Sequence, residues 1–313
     1  DVATTGILMP VSLEHVYNGY MADKNNSTYP HSGKGFKLSL QQTVKSSEEY
    51  GLTGDALNTY PYAYEDGDGT VHFFYKKTSG STTKYLDEDG LNLELKVLSG
   101  GGYTITDKSD NVMTFNSSGL LTQIADADGR KATLTYVTAK NKSGADVSYL
   151  KTVTDGAGHK ITLTYNSGEG NSSQISKITG PDGKSITYTT SSGSLTKITY
   201  PDETESIYKY DDDDGTLLSV ESSDGYKLAF TYSTDGAKRV ASVTEYGGKT
   251  TGQTIKFTRD KLNQTQIRTA GKDTVIDNSD DIITTYQFDN WGRTVSTKMR
   301  LGNGTGLGAE KYD

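Results

Sequence analysis

From about residue 120, apolar and polar positions alternate with period two in short runs, and an acidic, glycine-bearing turn separates each run from the next. Five copies of one unit align: LLTQIADADGRKATLTY (120–136), LKTVTDGAGHKITLTY (150–165), ISKITGPDGKSITY (175–188), LTKITYPDETESIYKY (195–210) and LLSVESSDGYKLAFTY (217–232). A weaker sixth runs from Val240 to about Phe257. In the second copy Ile161, Leu163 and Tyr165 share one face, and Thr162 and Thr164 share the other. One apolar and one threonine-rich face predict half-buried antiparallel strands. The turns DADG (126–129), PDG (181–183) and SDG (223–225) predict hairpin connections. Tyr136, Tyr165, Tyr188, Tyr210 and Tyr232 close the copies at spacings of 29, 23, 22 and 22 residues, near the length of two strands and two turns. The predicted fold is all-β: consecutive antiparallel β-hairpin repeats forming a long curved sheet or open shell. Two packed sheets are the alternative architecture.

Upstream the pattern is more degenerate. DGDGTVHFFY (66–75), DEDGLNLELKV (87–97, with Leu91, Leu93 and Leu95 alternating) and YTITDKSDNVMTF (103–115) each supply a turn and strands. LMPVSLEHVYN and GFKLSLQQTV read as two lead-in strands around a polar loop at 18–35. The expected organisation is lead-in strands and loop (1–60), hairpin repeats (61–258), an exposed polar insertion (259–283), one further repeat (284–301) and a flexible C-terminal connection (302–313).

Composition narrows the reading. The 22 tyrosines argue for order, with rings packed and hydroxyls expected to stay in water. The 35 glycines against 5 prolines fit many tight turns. A net charge of −8 disfavours nucleic acid and anionic membrane surfaces as partners. No cysteine is present, which excludes disulfides and thiol catalysis. No run is long and apolar enough for a membrane helix, so membrane insertion is not expected. The chain opens without a signal-like segment and closes in a loop-like run, so an excised section or a removed signal is expected.

Tyr286-Gln287-Phe288-Asp289, followed by Gly292-Arg293 and Val295, resembles the core of the RHS/YD-repeat family. Asp128-Gly129-Arg130 followed by Leu134-Thr135-Tyr136 resembles the same unit read from its turn, and LMPVSLEHVYN is similar to the segment that leads into such repeats. The similarity covers about residues 7–300. Glu203 departs from it by replacing the turn glycine, and most turns lack the arginine. The resemblance implies a spiral of hairpins from a bacterial wall-associated or toxin-encasing protein, and an extracellular location. Its partners would be other segments of the same large protein.

Candidate chemistry is sparse. Asp66/Asp68, Asp87/Asp89, Asp126/Asp128 and the run Asp211 to Asp214 supply hard oxygen ligands, and Asp211, Asp213 and Asp214 are the candidate calcium ligands. No other cofactor is expected. The carboxylate pairs recur at equivalent turns, whereas a glycosidase pair is a singular feature, so they read as structural. His15, His31, His72 and His159 show no metal-ligand spacing. Trp291, at the tip of the turn DNWGR, is the candidate ligand contact, suited to stacking on a cell-wall or host glycan. The expected function is a non-catalytic structural scaffold of a secreted bacterial protein. A carbohydrate-binding or adhesion module is the alternative, and a glycoside hydrolase the third reading.

Overall fold

The computed structural model describes residues 2–5, 8–19, 21, 32–140, 146–166, 174–236, 238–248, 250–290 and 292–312. The chain forms two compact units, residues 1–21 with 25–202 and residues 22–24 with 203–313. Each is all-β and built from sequential antiparallel hairpins.

In the first unit the ladder begins at Thr43–Ser46 and ends at Ser194–Thr199, and each strand pairs with the next in sequence. The alternation decides which face is buried. Ile161 and Leu163 are fully buried, whereas Thr162 is half-buried and Thr164 exposed. The lead-in residues cover the buried face. Val2–Ala3 pairs with Ser12–Leu13, and His15–Tyr17 with Phe36–Leu38. Leu13, Phe36 and Leu38 are buried, and the His15 ring meets the Tyr188 ring edge-on at 6.1 Å. The Lys34 amide donates to the Gly193 carbonyl at 2.9 Å. Sequence places two strands here; the structure adds that they lie over the sheet as its apolar cover.

The same unit curves. Thr43 bridges to Leu120, with the Val44 amide donating to the Gly119 carbonyl (2.9 Å) and the Leu121 amide to the Gln42 carbonyl (3.2 Å). The first strand thereby covers part of its free edge with a turn several hairpins later. Gly119 stands at φ +75°, and a β-carbon there would lie 2.0 Å from the Val44 oxygen. Only glycine allows this approach. Two short helical turns, Ser47–Tyr50 and Gly54–Thr59, link the first strand to Tyr62–Glu65. The Ser46 hydroxyl caps the first of them by accepting from the Glu48 amide.

The second unit runs from Glu205–Tyr210 to Gly306–Lys311, again in sequential antiparallel order. Its strands bury less. Gln264–Thr269 is half-buried at every position. Residues 259–283, expected as an insertion, contain this strand, which pairs with Thr250–Thr258 and with Ile282–Phe288. Its run TQIRT mixes polar and apolar residues because neither face is fully buried, so the alternation signal fades. The expected flexible connection at 302–313 contains the strand Gly306–Lys311, paired with Thr294–Leu301. All six of its positions are exposed, which is why its glycine-rich sequence reads as loop.

A repeated device organises the hairpins. The Tyr136 hydroxyl donates to the Leu121 carbonyl (2.8 Å), that of Tyr165 to Leu150 (2.6 Å), and that of Tyr232 to Leu217 (2.7 Å). Each acceptor lies immediately before a bulged residue: Thr122, Lys151 and Leu218 are skipped in the ladders. A bulge turns the preceding carbonyl away from its ladder, and the tyrosine hydroxyl satisfies it. At Thr122, Ser176 and Thr196 the bulged residue's own hydroxyl donates back to a carbonyl of the preceding strand, each at 3.1 Å. These tyrosine hydroxyls are therefore dry, contrary to the expectation from composition. Burial raises the Tyr136 and Tyr165 hydroxyls well above the usual tyrosine range.

Register also corrects the tyrosine series. In the third copy the bulge falls between Thr189 and Thr190, so Thr190 occupies the closing position. Tyr188 pairs with Ile198 and is buried, in the place that Leu134 holds in the first copy. The near-constant tyrosine spacing was partly coincidental. The constant quantity is the interval from Leu121 to Tyr136, repeated from Leu150 to Tyr165 and from Leu217 to Tyr232.

Candidate functional site

The acidic turns are built by local physics. In the first copy the Asp126 amide donates to the Arg130 carbonyl, and Gly129 adopts φ +80°. That is a three-residue hairpin loop with a left-handed third residue, rather than a two-residue turn. The first residue's side chain locks it. Asp66 Oδ1 accepts from the Asp68 and Thr70 amides, both at 3.0 Å. Asp107 accepts from Ser109 and Asn111, Asn116 from Ser118 and Leu120, and Asp155 from Ala157 and His159. An aspartate or asparagine that bonds its own downstream backbone favours a turn over a continuing strand. The first carboxylate of each pair, Asp66, Asp87 and Asp126, is thus a turn fastener. Asp110 (φ 60°) and Glu203 (φ 67°) stand where the other loops place glycine.

Asp211, Asp213 and Asp214 lie in a longer loop, closed by the Asp211 amide donating to Thr216. Asp211 Oδ1 accepts from the Asp213 (2.9 Å) and Asp214 (3.2 Å) amides. Asp214 Oδ1 accepts from the Thr216 amide (2.9 Å) and hydroxyl (2.7 Å), which hold its carboxyl below the usual range. Lys238 lies 3.5 Å from its other oxygen. Of the expected calcium donors, Asp211 and Asp214 each turn one carboxylate oxygen onto protein hydrogens. Among the described residues no three His, Asp or Glu side chains are grouped to hold a metal ion. Trp291 lies outside the described residues. Its turn is of the common kind, with Asp289 accepting from the Arg293 amide (2.9 Å) and Nε (2.7 Å). His31 also lies outside the described residues.

The richest cluster of ionisable groups joins the lead-in ribbon to the first hairpin. Lys37 is fully buried, and its Nζ donates to Glu65 Oε1 at 3.1 Å and to the Asp66 carbonyl. The Tyr50 hydroxyl donates to Glu65 Oε2 at 3.2 Å. His72 stands between two carboxylates, with Nδ1 2.6 Å from Asp89 Oδ2 and Nε2 3.1 Å from Asp66 Oδ2. A carboxylate at each ring nitrogen favours the form in which both donate, the imidazolium. Burial pulls the His72 pKa down, but the two carboxylates outweigh it and the net shift is upward. Burial raises Asp66 as well, yet His72 and the Asp68 amide hold it at about 2. Lys37 is lowered by burial, with Glu65 opposing. Every charge in this cluster has a partner, and the arrangement clamps three elements together. Sequence reading treated His72 and the turns at 66 and 89 as separate. The signal that joins them is adjacency of consecutive hairpins, which sets the turn of one beside the loop of the next.

The remaining described histidines are structural. His15 is packed against Phe36 and Tyr188, and burial lowers its pKa to about 4. His159 sits 3.0 Å from the fully buried Asp155 carboxylate. Among the described residues no helix is long and apolar enough to cross a membrane.

No family model matches the chain. No curated protein matches it either. Among solved structures it is similar to TcdB2-TccC3-TEV, at 12% identity and a TM-score of 0.36 over 99% of this chain. It is likewise similar to TcdB2-TccC3-Cdc42, at 13% and 0.37 over 99%. The chain spans 19% of the length of each. A porin-like protein from Bacteroides uniformis matches at 16% identity and 0.29, over 78% of this chain and 98% of its own. At these values the likenesses assign neither ancestry nor activity.

Proposed function

We propose that the chain is a non-catalytic structural scaffold, a section of the hairpin-repeat region of a secreted bacterial cell-surface or toxin-encasing protein. The observation that carries this reading is the repeated Leu-to-Tyr closure, the same hydrogen bond at the same interval in three hairpins. Repetition of one device along the chain stabilises extent, since each hairpin pairs its edge with the next. Asp66, Asp126, Asp155 and Asp211 each accept from turn amides, and the buried Lys37 is matched by Glu65. The partners of this scaffold are other segments of the same large protein.

Two measurements test it. Incubation with a panel of chromogenic glycosides and cell-wall polysaccharides is expected to give no turnover, and hydrolysis of any of them overturns the reading. Antibodies against this segment are expected to label intact producing cells or their medium. Labelling confined to lysed cells overturns the extracellular placement.

A further inference from the structure

The second unit holds a concavity of about 450 Å³ whose charge balance differs from the rest of the chain. It lies between the turn that precedes Val240 and the turn that follows Thr258, and Arg239, Arg259 and Lys261 line it with Asp260 as the one acid. In a chain of net charge −8 this is a local excess of cations. Arg239 is bonded to Asp235 at 2.5 Å. Arg259 is half-buried and has a different surrounding. Its Nη1 donates to the Val240 carbonyl at 2.7 Å, and its guanidinium lies 5.3 Å from the centre of the Phe257 ring. Among the described residues no carboxylate pairs with it. Burial, followed by the Arg239 charge, makes its protonated form less favourable than in water. Half-buried cations are ordinarily matched by an acid. Here the neighbouring charges are the Arg239 cation and, opposing it, the Asp235 carboxylate that Arg239 bonds.

Two further wall groups define what would fit. Gln264 lies on the wall, with its amide nitrogen donating to the Gln287 oxygen at 3.2 Å. Phe288 adds an apolar wall. The two guanidinium groups and Lys261 call for an oxyanion, and the Phe288 ring for a C–H face. We infer that this concavity binds a sugar bearing an oxyanion, either a carboxylate or a phosphate. The site is independent of the scaffold reading, since a scaffold with or without it builds the same hairpins.

Titration calorimetry of the whole chain with galacturonate, glucose 6-phosphate, inorganic phosphate and glucose tests this. At least one acidic sugar is expected to bind about tenfold or more tighter than glucose and than inorganic phosphate, the worth of one charge-assisted hydrogen bond. The tighter of the two identifies the oxyanion. Arg259→Gln is expected to weaken that binding about tenfold, and Lys261→Gln to weaken it as well. Lys298→Gln removes the same charge outside the site and is expected to leave it unchanged. Lys261 is exposed and pairs with no carboxylate among the described residues, so its variant decides the matter should Arg259→Gln fail to fold. Acidic sugars that bind no better than glucose, or no better than inorganic phosphate, overturn the inference. So does equal binding by wild type and both site variants.

Discussion

The Tyr165 hydroxyl donates to the Leu150 carbonyl across 2.6 Å, from fifteen positions further along the chain. The bond sits beside the bulge at Lys151, where the ladder between Asp146–Thr154 and Lys160–Tyr165 stops at Thr152. Tyr165→Phe keeps the ring and leaves a buried carbonyl unpaired. The expected cost is about 1–2 kcal/mol, read as a lowered urea midpoint. Tyr226→Phe, at a position 41% exposed, is the control and is expected to change stability by less than about 0.5 kcal/mol. Equal effects at the two sites would show that the closure contributes nothing.

Gly119 and Gly129 make a matched pair. Both have left-handed φ, but a β-carbon at Gly129 meets nothing within 4 Å, whereas at Gly119 it meets the Val44 oxygen. Gly129→Ala is expected to cost about 1 kcal/mol from backbone strain alone. Gly119→Ala is expected to cost about 3 kcal/mol or more, because the Thr43–Ser46 strand must also move. Thermal unfolding of the two variants side by side measures how tightly that strand is held.

Glu203 occupies a glycine position at φ 67°. Glu203→Gly removes this strain and is expected to stabilise the chain by about 0.5–1 kcal/mol in chemical unfolding. A loss of stability would mean that the glutamate side chain contributes more than its backbone costs.

His72 predicts a pH dependence. Its pKa is raised in the fold, so the stability gained from its charge is complete below 6.5 and is lost as pH rises through the folded value. The groups facing it are Asp66, Asp89 and the stacked Tyr64 ring. The unfolding midpoint is expected to fall with alkalinity in the wild type, and more weakly in His72→Gln. Parallel profiles for the two proteins would remove His72 as the cause.

Calcium supplies the last test. With Asp211 and Asp214 bonded to backbone amides, neither added calcium nor a chelator is expected to change the melting temperature. A rise of several degrees on adding calcium would mean that the loop rearranges to bind it.

Much of this fold was legible because half-buried strands write their burial into the sequence. Ile161, Leu163 and the threonines between them announce face and type together. What was hidden depended on pairing between segments far apart. Nothing local marks Gly119 as the contact for Val44, or Asp66 and Asp89 as the two sides of His72. The strand Gln264–Thr269 escaped because half-burial on both faces erases alternation. Tyr188 misled for a related reason, since a tyrosine serves equally as core filler and as closing donor. Only the bulge between Thr189 and Thr190 tells which. The cation-lined concavity was likewise invisible, because Arg239, Arg259 and Lys261 sit on two turns that only pairing brings together.

The Leu-to-Tyr closure also sorts the two rims of the sheet by their tolerance to length change. The interval it spans is the same in the three hairpins that carry it, yet successive closing tyrosines are 29 residues apart from Tyr136 to Tyr165 and 22 from Tyr210 to Tyr232. All of that difference falls between a tyrosine and the next leucine, outside the bond. After Tyr136 it is absorbed as a longer ladder, with Val137 to Lys140 paired to Asp146 to Tyr149. Insertions and deletions between a closing tyrosine and the next leucine are thus expected to be tolerated, and those within the fifteen-residue interval to break the closure. A lineage can lengthen, decorate or diversify the permissive rim hairpin by hairpin without renegotiating the bonds that hold the sheet together.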